Sequence, residues 1–209
     1  MDERQEFRAT PADGTSALSA ARSIVYGILA RTFDSESDES LVELSKSPDV
    51  QAAFEALCGT EGTAFLECLP SLEGSDYAAL YIGPGPALAS PCESSYLSND
   101  GLPMGATTLE VRKAYGKLGC AAARKNHVPD DHVSTELAFM AKASLEEGAL
   151  AVQAAFLAEH LGKWARPFAE RTAKARPESG YALAARTMAE FVERDARLVD
   201  EMMEDDRKR

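Results

Sequence analysis

"ALAVQAAFLAEHLGKWARPF" occupies residues 149–168. Leu157, Leu161, Trp164 and Phe168 recur in it at spacings of 4, 3 and 4, which places all four on one face of an α-helix. Pro167 lies inside the run. A proline there either kinks the helix or restarts it as the first residue of a new one. Trp164 sits mid-stripe and is expected in the core.

The same period extends in both directions. Downstream, Gly180 precedes a helix carrying Tyr181, Ala184, Met188, Phe191 and Leu198, and "EDDRKR" follows as a loose charged tail. Upstream, Pro129 and Asp130 start a helix with Val133, Leu137 and Met140 on one face, capped by Asp130 or Asp131, and Gly148 punctuates its end. "TTLEVRKAYGKLGC" (107–120) reads as a helix capped by Thr107 or Thr108, with Leu109, Val111 or Arg112, and Tyr115 in its pattern. Nearer the N-terminus, Leu18, Ala21, Val25, Ile28 and Leu29 form a stripe that ends at Phe33. Ser47 followed by Pro48 is an N-cap with proline at the first helical position. The helix it opens carries Val50, Phe54 and Leu57 and stops at Gly59; short helices follow over 61–69 and from about Ser75, the latter with Tyr77, Leu80 and Tyr81. No alternating apolar run with hairpin chemistry interrupts this pattern. The expected fold is all-α, a single compact bundle of about nine to twelve helices. Residues 1–13 are expected as a flexible N-terminus, 14–203 as the helical domain and 204–209 as the tail.

Composition narrows the function. The 209 residues carry 34 acids against 22 bases, a net charge of −12. Nucleic acid is excluded as the main partner, because phosphate neutralisation needs clustered lysine and arginine. No apolar run approaches the ~20 residues that cross a bilayer, so the chain is not expected to be membrane-integral. "MDERQEFRATPADG" has no apolar core of a secretory signal, which points to the cytoplasm. Cys58, Cys68, Cys92 and Cys120 form no C-x-x-C pair and read as reduced thiols. His127, His132 and His160 do not join them at ligand spacing, so neither a metal nor a cofactor is expected.

One segment breaks the helical pattern. "YIGPGPALASPCESSYL" (81–97) holds two glycines and three prolines in its first eleven residues. It lacks the Gly-Lys-Ser/Thr ending of a phosphate-binding loop and the Gly-x-Ser-x-Gly of a nucleophile elbow, so Ser94, Ser95 and His132 earn no catalytic role. The breakers hold the backbone extended at the surface, where Tyr81 and Tyr96 would line a groove.

"YAALYIGPGPALASPCESSYL" (77–97), "VPDDHVSTELAFMAKA" (128–143) and "FLAEHLGKWARPFAER" (156–171) resemble, in order, three signature blocks of the TorD/DmsD family, and "SIVYGILARTF" (23–33) fits the family's first helix. The chain departs from some relatives in having Gly85 and Cys92 where they carry aromatics. The resemblance implies an all-helical cytoplasmic chaperone for redox-enzyme maturation, not an enzyme. Such a protein binds the twin-arginine signal peptide of a molybdenum-containing oxidoreductase precursor and delays its export until the cofactor is inserted. By position the resemblance assigns signal-peptide binding to Tyr77, Leu80, Tyr81, Pro91, Glu93, Ser94, Tyr96, Gly105, Asp131 and His132. The loop would form one wall of a groove and the Asp131–His132 turn its facing hinge. The leader's apolar part would meet the aromatics, and its basic part Glu93 and Asp131. Weak guanine-nucleotide hydrolysis and an accessory-subunit role in a membrane-bound reductase are the competing readings. A monomer or a helix-exchanged dimer fits such a bundle.

Overall fold

The computed structural model describes residues 16–34, 39–98, 106–122 and 128–208. The chain opens with α1 (Ala17–Thr32), where the Ser16 hydroxyl accepts from the Ser19 amide as N-cap and Tyr26, Ile28 and Leu29 turn inward. After α2 (Glu39–Ser45), α3 (Pro48–Cys68) begins at the expected Ser47 cap. Its path breaks at Gly59, whose φ of 63° and ψ of −150° are open to glycine and strained for other residues. The expected stop is therefore a break between two helical segments. A 3-10 turn (Leu69–Ser71), the short α4 (Gly74–Tyr77) and a π-helical turn (Ala78–Ile82) lead into the breaker segment.

Beyond it come α5 (Ser94–Leu97), α6 (Ala106–Gly116), α7 (Val133–Ala143), α8 (Leu150–Glu159), α9 (Leu161–Ala175) and α10 (Gly180–Arg207). α10 packs along α9 and against α3 and α8, while α1 lies against α7 and α3. The core between them is rich in large side chains, with Trp164, Tyr26, Phe54, Phe65, Phe168 and Phe191 fully buried. The described residues contain no strand, only an isolated antiparallel bridge between Cys92 and His132. Among them no helix is long and apolar enough to cross a membrane.

Four further details differ from the sequence expectation. The long amphipathic run breaks at His160 (φ −124°, ψ −102°), not at Pro167, which lies within α9 on its exposed side. The junction folds the chain so tightly that a Cβ on Gly162 would stand 2.3 Å from the Leu157 carbonyl oxygen, so glycine is required there. The cap of α7 is His132, whose Nδ1 accepts from the Ser134 amide, and neither aspartate takes that place. α6 already includes Thr107 and Thr108, and its Leu109 is exposed because the buried face runs through Val111, Ala114 and Tyr115. α10 continues through Arg207, so residues 204–207 of the expected tail are helical. The expected N-terminal segment 1–13 lies outside the described residues.

Candidate functional site

The breaker segment is a loop with joined ends. The Ala89 amide donates to the Leu80 carbonyl at 2.9 Å, and Gly83, at φ 59°, turns the chain out of the π-helical turn. Between these points Pro84, Gly85 and Pro86 are exposed, and so are Ile82 at 64% and Leu88 at 51%. The expected surface breaker is present. The aromatics at its start are not on that surface. Tyr77, Leu80 and Tyr81 are buried, with the Tyr77 hydroxyl donating to the Phe33 carbonyl and the Tyr81 ring stacked on Phe168. Burial pushes the Tyr81 phenol well up from its usual range.

From Pro91 to Tyr96 the chain is fastened to the turn before α7. The Val133 amide donates to the Pro91 carbonyl at 2.8 Å, and the Glu93 amide to the Asp131 carbonyl at 2.9 Å. The Ser94 amide donates to Asp131 Oδ2 at 3.0 Å. Asp131 and Ser94 are fully buried and His132 nearly so. Asp130 is held by Arg112, and its carbonyl accepts from the Tyr115 hydroxyl at 2.7 Å. The two segments are thus fastened directly to each other by hydrogen bonds, whereas the sequence reading set them as facing walls of a groove, and the carboxylates expected to face a basic ligand are buried.

Beneath this unit sits a buried polar cluster. Nδ1 of His160 lies 3.1 and 3.3 Å from the two carboxyl oxygens of Glu93. Nε1 of Trp164 donates to Glu136 Oε2 at 3.1 Å. Burial, and next the neighbouring Glu93 charge, hold the Glu136 carboxyl well above the usual range. Burial likewise pushes the Cys92 thiol up to about 12, which leaves it protonated and inert. Tyr96 is half-buried and stacks on Trp164 with ring centroids 5.5 Å apart. Gly105 lies outside the described residues.

Glu136, His160 and Trp164 belong to this cluster although the sequence reading gave none of them a role in the site. Each stands inside a quoted signature block, and that was the available signal. Periodicity could assign them to helix faces but could not show that α7, α9 and the α8–α9 junction meet behind Glu93. Among the described residues no group of His, Cys, Asp and Glu side chains is arranged to hold a metal ion.

A family profile described as "Nitrate reductase delta subunit" matches residues 47–170. The chain is 24% identical over 212 residues to the chaperone protein TorD of Vibrio cholerae serotype O1, covering 90% of this chain and 96% of that one. It is 28% identical over 208 residues to the chaperone protein TorD of Shewanella loihica, covering 88% and 96%. The crystal structure of a proposed redox enzyme maturation protein from Archaeoglobus fulgidus superposes with a TM-score of 0.58 at 21% identity, covering 84% of this chain and 93% of that one. The curated relatives are named as chaperones, not as catalytic enzymes.

Proposed function

The chain belongs to the nitrate reductase delta subunit family, and from that premise we propose that it is a TorD-type cytoplasmic chaperone for redox-enzyme maturation. It binds the twin-arginine signal peptide of a molybdenum-containing oxidoreductase precursor and holds the precursor back from export until its cofactor is loaded. One observation carries this reading. Residues from all three signature blocks meet in a single buried network: Glu93 and Ser94, Asp131 and Glu136, and His160 and Trp164. They serve one construction, which argues against three chance matches.

In this reading the network is the support and the loop above it is the contact. Pro91, Glu93, Ser94, Asp131 and His132 fix the backbone, and Tyr77, Leu80 and Tyr81 fill the space beneath it. The leader's apolar segment then lies against Ile82, Leu88 and the half-buried Tyr96. The net charge of −12 favours encounter with a basic leader without any single exposed carboxylate at the contact.

Titration calorimetry tests it with a synthetic twin-arginine leader taken from a molybdenum-containing oxidoreductase precursor of the same organism. The expected dissociation constant is on the order of 1 μM, and Ile82→Ser with Leu88→Ser weakens it at least ~10-fold, since each removes apolar contact. Absence of binding by the wild type overturns the reading. An accessory-subunit role is the second reading, favoured by the family's description as a delta subunit. Stable co-purification with mature enzyme, in place of transient capture of the precursor, would establish it.

A further inference from the structure

Arg171, on the exposed side of α9, reaches across to the breaker loop. Its Nε donates to the Leu88 carbonyl at 2.8 Å, and its guanidinium carbon stands 5.9 Å from the Tyr96 ring centroid. One side chain therefore holds the far end of the loop and covers the outer aromatic of the core. That aromatic continues inward through Trp164 at 5.5 Å and Phe168 at 6.4 Å, and Phe168 stacks on Tyr81 at 5.7 Å. The Tyr96 hydroxyl is buried with no hydrogen-bond partner among the described residues. A phenol so placed is open to a backbone group of an apolar peptide once it is uncovered.

We propose that Arg171 is the clasp of a strap formed by residues 82–88, and that its release uncovers Tyr96 to the apolar segment of a signal peptide. The proposal rests on the leader-binding reading above. Three features make the strap releasable. Arg171 holds a backbone carbonyl at an exposed site, where water replaces the bond readily. Gly83, Pro84, Gly85 and Pro86 carry no large side chain that packs inward. Among the described residues, beyond the clasp, the bond from the Ala89 amide to the Leu80 carbonyl ties the two ends of the loop, and the Gly83 amide bonds the Ala78 carbonyl at its start. Charge fixes the occupant's direction. A cation at this end repels a paired-arginine motif, so the apolar part of the leader lies at Tyr96 and the arginines lie away from it. Arg171 is thus a positioning residue: closed, it masks the aromatic; open, it leaves Ile82, Leu88 and Tyr96 on one contact.

Hydrogen exchange and peptide titration on the full chain test this together. In Arg171→Ala the Ala89 amide exchanges at least ~5-fold faster than in the wild type, because strap opening governs its protection. The Val133 amide, bonded to Pro91 outside the strap, is unchanged. The variant binds the synthetic leader about 5-fold tighter and associates faster, since the competent state no longer has to be opened. Arg171→Lys keeps the charge but loses the planar fork, and falls between the two. Unchanged Ala89 exchange, or weaker leader binding by Arg171→Ala, overturns the clasp. If the wild type binds no leader, the leader reading fails and takes the occupant with it, while the exchange rates still decide whether Arg171 holds the strap.

Discussion

Arg22 on α1 and Asp195 on α10 form a two-pronged ion pair in the core, with Nε 2.5 Å from Oδ1 and Nη2 2.9 Å from Oδ2 and neither side chain exposed. The Tyr26 hydroxyl donates to the same carboxylate at 2.7 Å. The pair ties the first described helix to the last across the whole bundle.

Removing one partner leaves the other charge buried alone, which costs ~3–5 kcal/mol, whereas replacing both with apolar residues of similar size is far milder. Asp195→Ala is therefore expected to unfold at markedly lower denaturant concentration than the wild type. Arg22→Met with Asp195→Leu should recover most of the loss. Urea unfolding of the two variants checks this, and equal destabilisation of single and double variants would contradict it.

Glu136 gives stability a pH dependence with a defined sign. Its folded-state pKa is raised, by burial first and then by the Glu93 charge, so the folded protein binds this proton more tightly than the unfolded chain. The contribution is complete below the unfolded carboxyl value of about 4.3 and is lost as pH rises through the folded value. Glu136→Gln keeps a neutral side chain at every pH. Its melting temperature should fall less than that of the wild type between about pH 5 and pH 8, by thermal scans across that range. Parallel profiles would mean that Glu136 is not the group that holds the proton.

Much of this architecture was legible in local pattern. Ser47 and Pro48 announced α3, the 4-3-4 spacing placed Trp164 and Phe168 in the core, and the Gly-Pro run marked the loop. What pattern could not reach was tertiary. The helix breaks at His160, whose ring meets Glu93, 67 residues away, and Gly162 admits the tight turn that follows. Pro167 was the more conspicuous breaker in the sequence, yet α9 carries it on an exposed side. The site residues were legible as a set but not in direction. Glu93 and Asp131 look like surface acids in one dimension, and only the crossing hydrogen bonds reveal that they face inward. Arg22 was invisible for the same reason, since its partner lies 173 residues on.

Trp164 separates core from contact. It is fully buried, stacks on Tyr96 and bonds Glu136. Trp164→Ala is expected to cost ~3–5 kcal/mol and to leave leader affinity unchanged once corrected for the folded fraction. Thermal melts paired with calorimetry test this, and an unchanged melting temperature with lost binding would move Trp164 into the contact itself.

Asp131 decides between holding the backbone and attracting the leader. Its carboxylate accepts from the Ser94 amide and its carbonyl from the Glu93 amide, with no exposed surface. Asp131→Ala loses a hydrogen bond to a charged group, worth ~1.5–3 kcal/mol, and should lower the melting temperature measurably. Asp131→Asn retains an acceptor oxygen and should cost less. Leader titration at two salt concentrations then separates the roles. A carboxylate acting on the basic leader through solvent is screened beyond ~8 Å at physiological salt, so Asp131→Asn would weaken binding at low salt only. A carboxylate that fixes the 91–96 backbone acts on the shape of the contact, so any loss should be the same at both salts. Its burial predicts the second outcome. A loss confined to low salt would show that Asp131 reaches the leader as a charge and that this turn opens on binding.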